Sequence, residues 1–164
     1  MSPLQRARRF VIPDTVLDPT LDALVAAGRN GHEAFAVWGA VVSHDGTEVA
    51  FRSCTVPRQT PHVTSHGLLV EVSGQALFEV NRALFQRGEI LAGQVHTHPT
   101  DAYHSDTDDH FPLVTLAGAL SVVVPDFARG WRDDMRRWAW YRLTGQGTWA
   151  ELDRGDRVVL DRSR

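Results

Sequence analysis

Residues 89–109 read EILAGQVHTHPTDAYHSDTDD. An apolar run of strand length ends on two histidines, His96 and His98, and Pro99 follows at once. Proline cannot donate to a strand ladder, so the strand stops there. Side chains at i and i+2 of a strand share a face, so His96 and His98 present two imidazoles to one side. A short polar loop then brings up Ser105 and Asp108. Two histidines and a carboxylate make a three-ligand set for Zn2+. They leave the fourth tetrahedral position open, which separates a catalytic site from a structural one. Read separately, the histidines are equally a solvated strand end and the aspartates a solvated loop; read together, they point to a metal.

Working outward, residues 73–87 (SGQALFEVNRALFQR) place Leu77, Val80, Leu84 and Phe85 on one helical face. Ser73 is positioned to cap that helix and Gly88 to end it. Upstream, residues 33–42 (EAFAVWGAVV) form an apolar strand, Asp45-Gly46 marks a hairpin turn, and residues 48–56 return as the partner strand. Residues 8–13 predict a first strand. Residues 14–27 carry Val16, Leu17, Leu21, Leu24 and Val25 at helical spacing. Pro19 interrupts the pattern, so the regular helix is expected to start near it, and Gly28, Asn30 and Gly31 close it. Residues 58–65 read as loop. Residues 120–124 (LSVVV) predict a buried strand, with late strands over 137–143, 148–152 and 157–160. The order is strands, a helix, strands, a helix, then mostly strands. It predicts an α/β (α+β) sandwich, a curved mixed β-sheet flanked by helices.

Glu33 completes the chemistry. It stands immediately before an apolar strand, where a carboxylate is costly unless it is paired or functional; the plain alternative is a charged residue at a strand start. A water made acidic by a metal still needs a proton acceptor, and Glu33 is the candidate.

Composition narrows the field. A chain of 164 residues with 43% hydrophobic and 23% charged residues suits one compact domain spanning 1–164. No apolar run reaches the length of a membrane span, and Met1 to Phe10 lacks the apolar core of a secretory signal, so a cytoplasmic protein is expected. One cysteine, Cys54, excludes an internal disulfide framework, a cysteine-based zinc knuckle and the paired cysteines of a zinc deaminase. A net charge of −3 gives no reason to expect nucleic acid. All 17 basic residues are arginine. Codon bias explains this; so does a protein that must not itself be conjugated through a lysine amine.

Glu33 before AFAVWGAVV, the helix SGQALFEVNRALF, then His96-Thr97-His98-Pro99 and Ser105-x-x-Asp108 together resemble the JAMM (MPN-domain) zinc isopeptidase family. The likeness runs from about Phe10 to Val124, and residues 104–128 are similar to its prokaryotic branch. Six residues separate His98 from Ser105 and nine separate it from Asp108, one fewer than the family pattern carries in each case. Either the loop has lost a residue, which keeps the SxxD register, or Asp109 is the ligand and Asp106 takes the serine position.

The resemblance implies a single JAMM-type domain with the cytidine-deaminase-like architecture. It implies Zn2+ held by His96, His98 and Asp108, Glu33 as general base and proton shuttle, and Ser105 as a donor to the oxyanion, with Asp109 supporting either the loop or, as an acceptor, one of the histidines. The implied reaction is cleavage after the C-terminal tail of a ubiquitin-like protein, in deconjugation or precursor maturation. The implied partners are that protein, its conjugates, and the activating and conjugating enzymes of the same operon, in a setting such as antiphage defence. The alternatives are processing of a ubiquitin-like sulfur carrier and a non-catalytic MPN-type scaffold. His62 and His66 are placed near the substrate groove and His104 and His110 beside the metal loop. The late tryptophans Trp131, Trp138, Trp140 and Trp149 read as packing.

Overall fold

The computed structural model describes residues 1–106, 108, 112–130, 135–155 and 157–161. Asp109, His110 and Trp131 lie outside the described residues. Among the described residues the longer elements are β1 (Arg9–Pro13), α1 (Asp14–Arg29), β2 (Phe35–Val42), β3 (Glu48–Thr55), β4 (Gln59–Thr64), β5 (Gly67–Val72), α2 (Gly74–Gln86), β6 (Ile90–Thr97), β7 (Leu120–Val124), β8 (Ala139–Leu143), β9 (Trp149–Glu151) and β10 (Val158–Asp161). Eight strands form one curled mixed sheet in the order β10-β1-β3-β2-β6-β7-β8-β9, and β4 and β5 form a separate hairpin.

The sheet curls where its register slips. Between Trp38 and Ala40 the pairing of β2 shifts against both neighbours, leaving Arg52 of β3 and Ala92 of β6 as extra residues around Gly39. Such bulges bend a strand and strengthen its twist. Gly39 itself has no room for a side chain: a Cβ there would stand 2.3 Å from Leu84 of α2 and 2.6 Å from the Ser53 hydroxyl.

The two helices cover opposite faces. Cys54 and Trp38 meet Thr20 of α1, whose hydroxyl accepts from the Trp38 indole at 2.8 Å and lies 3.1 Å from the Cys54 thiol. Ser53, one residue before Cys54 and therefore on the other face, bonds Glu89 just beyond α2. The main core lies under α1 and includes Phe10, Leu17, Leu21, Leu24, Trp38 and Phe51, all essentially inaccessible. Two of the late tryptophans, Trp138 and Trp140, are buried and stack on each other, as packing residues do.

Three readings of the sequence need correction. Helix α1 runs unbroken from Asp14 through Pro19. The missing proline N–H is tolerated because Val16, Leu17, Leu21 and Leu24 anchor the helix on both sides, and the Thr20 hydroxyl donates to the Val16 carbonyl at 2.6 Å. Residues 58–65 are no loop: most of them form β4, paired with β5 over Gln59↔Val72 to Thr64↔Gly67. On α2 the buried stripe is Ala76, Val80 and Leu84, and Phe85 is 83% exposed. The Ser73 cap is as expected, its hydroxyl accepting from the Ala76 N–H.

Candidate metal centre

Strand β6 is the middle of the sheet and is buried along its length. It pairs antiparallel with β2 and parallel with β7. A parallel neighbour requires a long crossover; it leaves the C-terminal end of β6 after Thr97 and returns to the start of β7 at Leu120, and the C-terminal strand ends are where open α/β sheets place their ligands. His96 and His98 sit at that point, 1% and 5% exposed.

The crossover is held from both sides. The Gln94 side-chain carbonyl accepts from the backbone N–H groups of Leu113 and Val114, and its amide donates to the Ser121 hydroxyl. After β7 the chain enters a left-handed turn, Asp126–Ala128, with φ of 54°, 53° and 59° at three residues that are not glycine. L-residues in that region cost about 1–2 kcal/mol each, so the contacts around them must hold them there. The Phe127 N–H donates to the His98 carbonyl and the Asp126 N–H to the Thr100 carbonyl, both at 2.9 Å. Gly28 of α1 leaves space for Phe127, whose Cβ lies 2.4 Å from where a Gly28 Cβ would stand.

The second half of the donor set is preassembled in its own way. The Ser105 N–H and hydroxyl donate to Asp108 Oδ2 at 2.8 and 2.7 Å, and the Asp108 N–H returns to the Ser105 hydroxyl at 3.3 Å. This reciprocal exchange across S-x-x-D is a capping box in which aspartate takes the usual place of glutamate. It starts the helical turn to which Asp106 and Asp108 belong. Ser105 therefore aims the Asp108 carboxylate.

The two halves meet. His96 Nε2 lies 3.2 Å from His98 Nε2 and 3.2 Å from Asp108 Oδ1, and His98 Nε2 lies 3.4 Å from Asp108 Oδ2. Two imidazole nitrogens in such contact repel as lone pairs unless a proton or a cation lies between them. Ligands bound at about 2.0–2.1 Å around a tetrahedral centre stand about 3.3 Å apart, so the three separations suit a small divalent ion. Among the described residues this is the group of histidines and carboxylates close enough to share one. Burial works against the Asp108 carboxylate, but the hydrogen bonds of His96 and His98, the charge of His96 and the Ser105 N–H outweigh it and hold its pKa well below the usual range. The His96 ring stacks on Phe35 with centroids 4.7 Å apart, and its Nδ1 is buried with no hydrogen-bond partner among the described residues.

Glu33 and Ser105 line one cleft of about 230 Å³ with His98 and Asp108. Glu33 lies two residues before Phe35, the cross-strand partner of His96. Burial pushes its pKa up to about 7, against the attraction of His98 and with the repulsion of Asp108. The far wall is β5, through Leu68, Leu69 and Val70, with His66 at the hairpin turn and Tyr103 packed edge-on against His98.

Several of these contributors escaped the sequence reading. Gln59 is the clearest: its side-chain amide donates to the Phe35 carbonyl and its carbonyl accepts from the Phe35 N–H, as a neighbouring strand would. This clasp sets the hairpin beside Glu33. The polar residue at the start of a proline-containing run was its only signal. The other histidines divide: His66 reaches the cleft, while His62 faces Glu71 across the hairpin. His104 packs on Tyr141 and Trp149 and bonds the Ser121 hydroxyl, so it backs the site.

No protein-family model matches the chain. The solution structure of a protein from Salinibacter ruber shares the fold with a TM-score of 0.55 and 20% identity, over 93% of this chain and 90% of that one. A probable metalloprotease of Sinorhizobium fredii, y4jG, is 36% identical over 152 residues, covering 93% of this chain and 92% of the relative. At that identity, over nearly the whole of both sequences, the chain belongs to the family of this probable metalloprotease.

Proposed function

We propose that the chain is a metal-dependent peptidase of the JAMM type that cleaves after the C-terminal tail of a ubiquitin-like protein in the cytoplasm. Deconjugation and precursor maturation are the two settings for that cut, and the conjugation enzymes of the same system are its partners. One observation carries the reading. Glu33, Ser105, His98 and Asp108 line one cleft, His96 stands buried behind it within reach of His98 and Asp108, and strand β5 forms the opposite wall.

Two nitrogen donors and one oxygen donor suit zinc and iron(II) alike, and a hydrolytic reaction, which needs a Lewis acid without redox chemistry, favours zinc. When bound, that ion supplies Lewis acidity toward the scissile carbonyl and lowers the pKa of water beside it. The chain's own groups do the rest. Glu33 takes a proton from the attacking water and delivers it to the leaving amine. Its half-buried carboxylate suits this, because burial brings its pKa close to neutral. Ser105 holds the Asp108 carboxylate in place through its N–H and hydroxyl, and the hydroxyl, once rotated from Asp108 into the cleft, is the donor to the developing oxyanion. The outer edge of β5 has no strand partner among the described residues, so an extended tail can add to it and run toward Glu33. The narrow cleft admits a slender segment, which fits an extended tail better than a bulky side chain.

The deciding assay loads the purified protein with zinc and offers two substrates. One is a ubiquitin-like protein fused through its tail to a reporter; the other is an unstructured peptide library. Cleavage confined to the end of the tail supports the proposal. Cleavage of the library alone leaves a peptidase with another substrate, and zinc-loaded protein that cuts neither overturns the enzymatic reading. Ser105→Ala is expected to weaken metal affinity about 10–100-fold, as loss of a group that orients a ligand does, and also to slow turnover at saturating metal. A variant that loses turnover with unchanged metal affinity would show that Ser105 acts on the substrate alone.

A further inference from the structure

Four arginines surround one concavity at the end of the sheet remote from the metal centre. Arg6 and Arg8 precede β1, Arg142 lies on β8 and Arg157 just precedes β10. Arg142 pairs with Leu120 at the start of β7, whereas His96 pairs with Val123 near the other end of that strand. Gln5 and Thr47 help to line the pocket, which encloses about 590 Å³.

Among the described residues no carboxylate stands within ion-pair distance of any of these four side chains. The adjacent Arg9, by contrast, is paired with Glu48. Asp45, in the neighbouring turn, is already engaged by Ser43 and Thr47. Arg142 is the fixed member. One of its terminal nitrogens donates to the Leu4 and Gln5 carbonyls at 2.8 and 3.2 Å, and its guanidinium lies 5.4 Å from the Phe10 ring centroid. The other donors of its fork remain available. Burial, then the charge of Arg157, lowers its pKa from the usual guanidinium value. Like charges gathered in a partly desolvated hollow repel one another, and a bound anion removes that cost.

We propose that this pocket binds a compact phosphoanhydride, either inorganic pyrophosphate or the polyphosphate chain of a nucleotide. Guanidinium forks match phosphate oxygens two at a time. Several of them around a hollow of small-molecule size call for several negative charges held close together. A single carboxylate does not supply these. With a net charge of −3, the chain as a whole lacks the basic excess that tracks a nucleic-acid backbone.

Calorimetric titration of the full chain with inorganic pyrophosphate tests the proposal. Arg6 and Arg157 are exposed, so Arg6→Gln with Arg157→Gln leaves the melting temperature unchanged while weakening pyrophosphate at least tenfold. Arg9→Gln, outside the pocket, binds as the parent does. ATP binding more tightly than pyrophosphate identifies a nucleotide as the source, and equal affinity identifies the phosphoanhydride alone. Three results overturn the proposal: no binding of pyrophosphate, equal binding by the double variant (which would place the ligand on the metal centre), or binding of duplex DNA in its stead.

Discussion

Glu33→Gln is expected to lower turnover by about 10²–10⁴-fold, the usual worth of a positioned general base, while the protein keeps its full metal content. Glutamine preserves the shape of the side chain at the cleft wall and removes the ability to accept a proton. The parent enzyme carries the matching signature in its pH profile. With a pKa raised by burial to about 7, Glu33 is protonated and inactive as a base at low pH, and activity climbs as the proton leaves. A bound cation favours the carboxylate, so the acidic limb falls at or below pH 7 and disappears in the glutamine variant. Metal analysis beside turnover numbers checks both. A variant within tenfold of the parent would reduce Glu33 to a charged residue at a strand start.

The second large effect is on the metal. Asp108→Ala removes one donor of three and strips the Ser105 N–H and hydroxyl of their acceptor. Metal content should fall to near zero. The consequence extends to stability, because an ion that binds only the folded chain stabilises it by mass action, by about 4 kcal/mol at a free concentration a thousand times its Kd. At about 2–4 °C per kcal/mol for a chain of this size, chelation lowers the parent's melting temperature by about 10 °C. The same chelator leaves Asp108→Ala unmoved. If that variant retains one ion per chain, Asp108 is not the third ligand and Asp109 is the next residue to replace.

The legible parts of the molecule were those encoded over short stretches. Asp45-Gly46 gave the β2–β3 hairpin because a left-handed glycine is a local requirement, with φ of 75° at Gly46. Ser73 and Gly88 bracket α2 for equally local reasons. That His96 and His98 come close together is legible because a strand's two-residue period is fixed. The unread parts depend on distant partners. The β4–β5 hairpin has no buried face to impose alternation, its β4 strand contains Pro61, and it is docked through the Gln59 amide. Phe85 was assigned to the buried face because helical spacing gives the width of an apolar stripe but not its centre; that centre is set by Leu84 against Gly39. The left-handed turn behind His98 has no glycine to announce it and is held by contacts with α1 and the crossover.

The two-part construction of the donor set bears on how such sites change over time. His96 is fixed by the register of β6 and His98, just beyond it, by its N–H to the Val124 carbonyl, and Asp108 is fixed by Ser105 three residues earlier. Between the two parts, residues 99–104 contribute no donor to the set. An insertion or deletion there changes the length of a loop, at a small entropic cost, and leaves each part internally intact. On the proposed JAMM reading, the short spacing in this chain is then a change of loop length alone. A motif written with a fixed gap between its histidines and its aspartate describes the loop rather than the site.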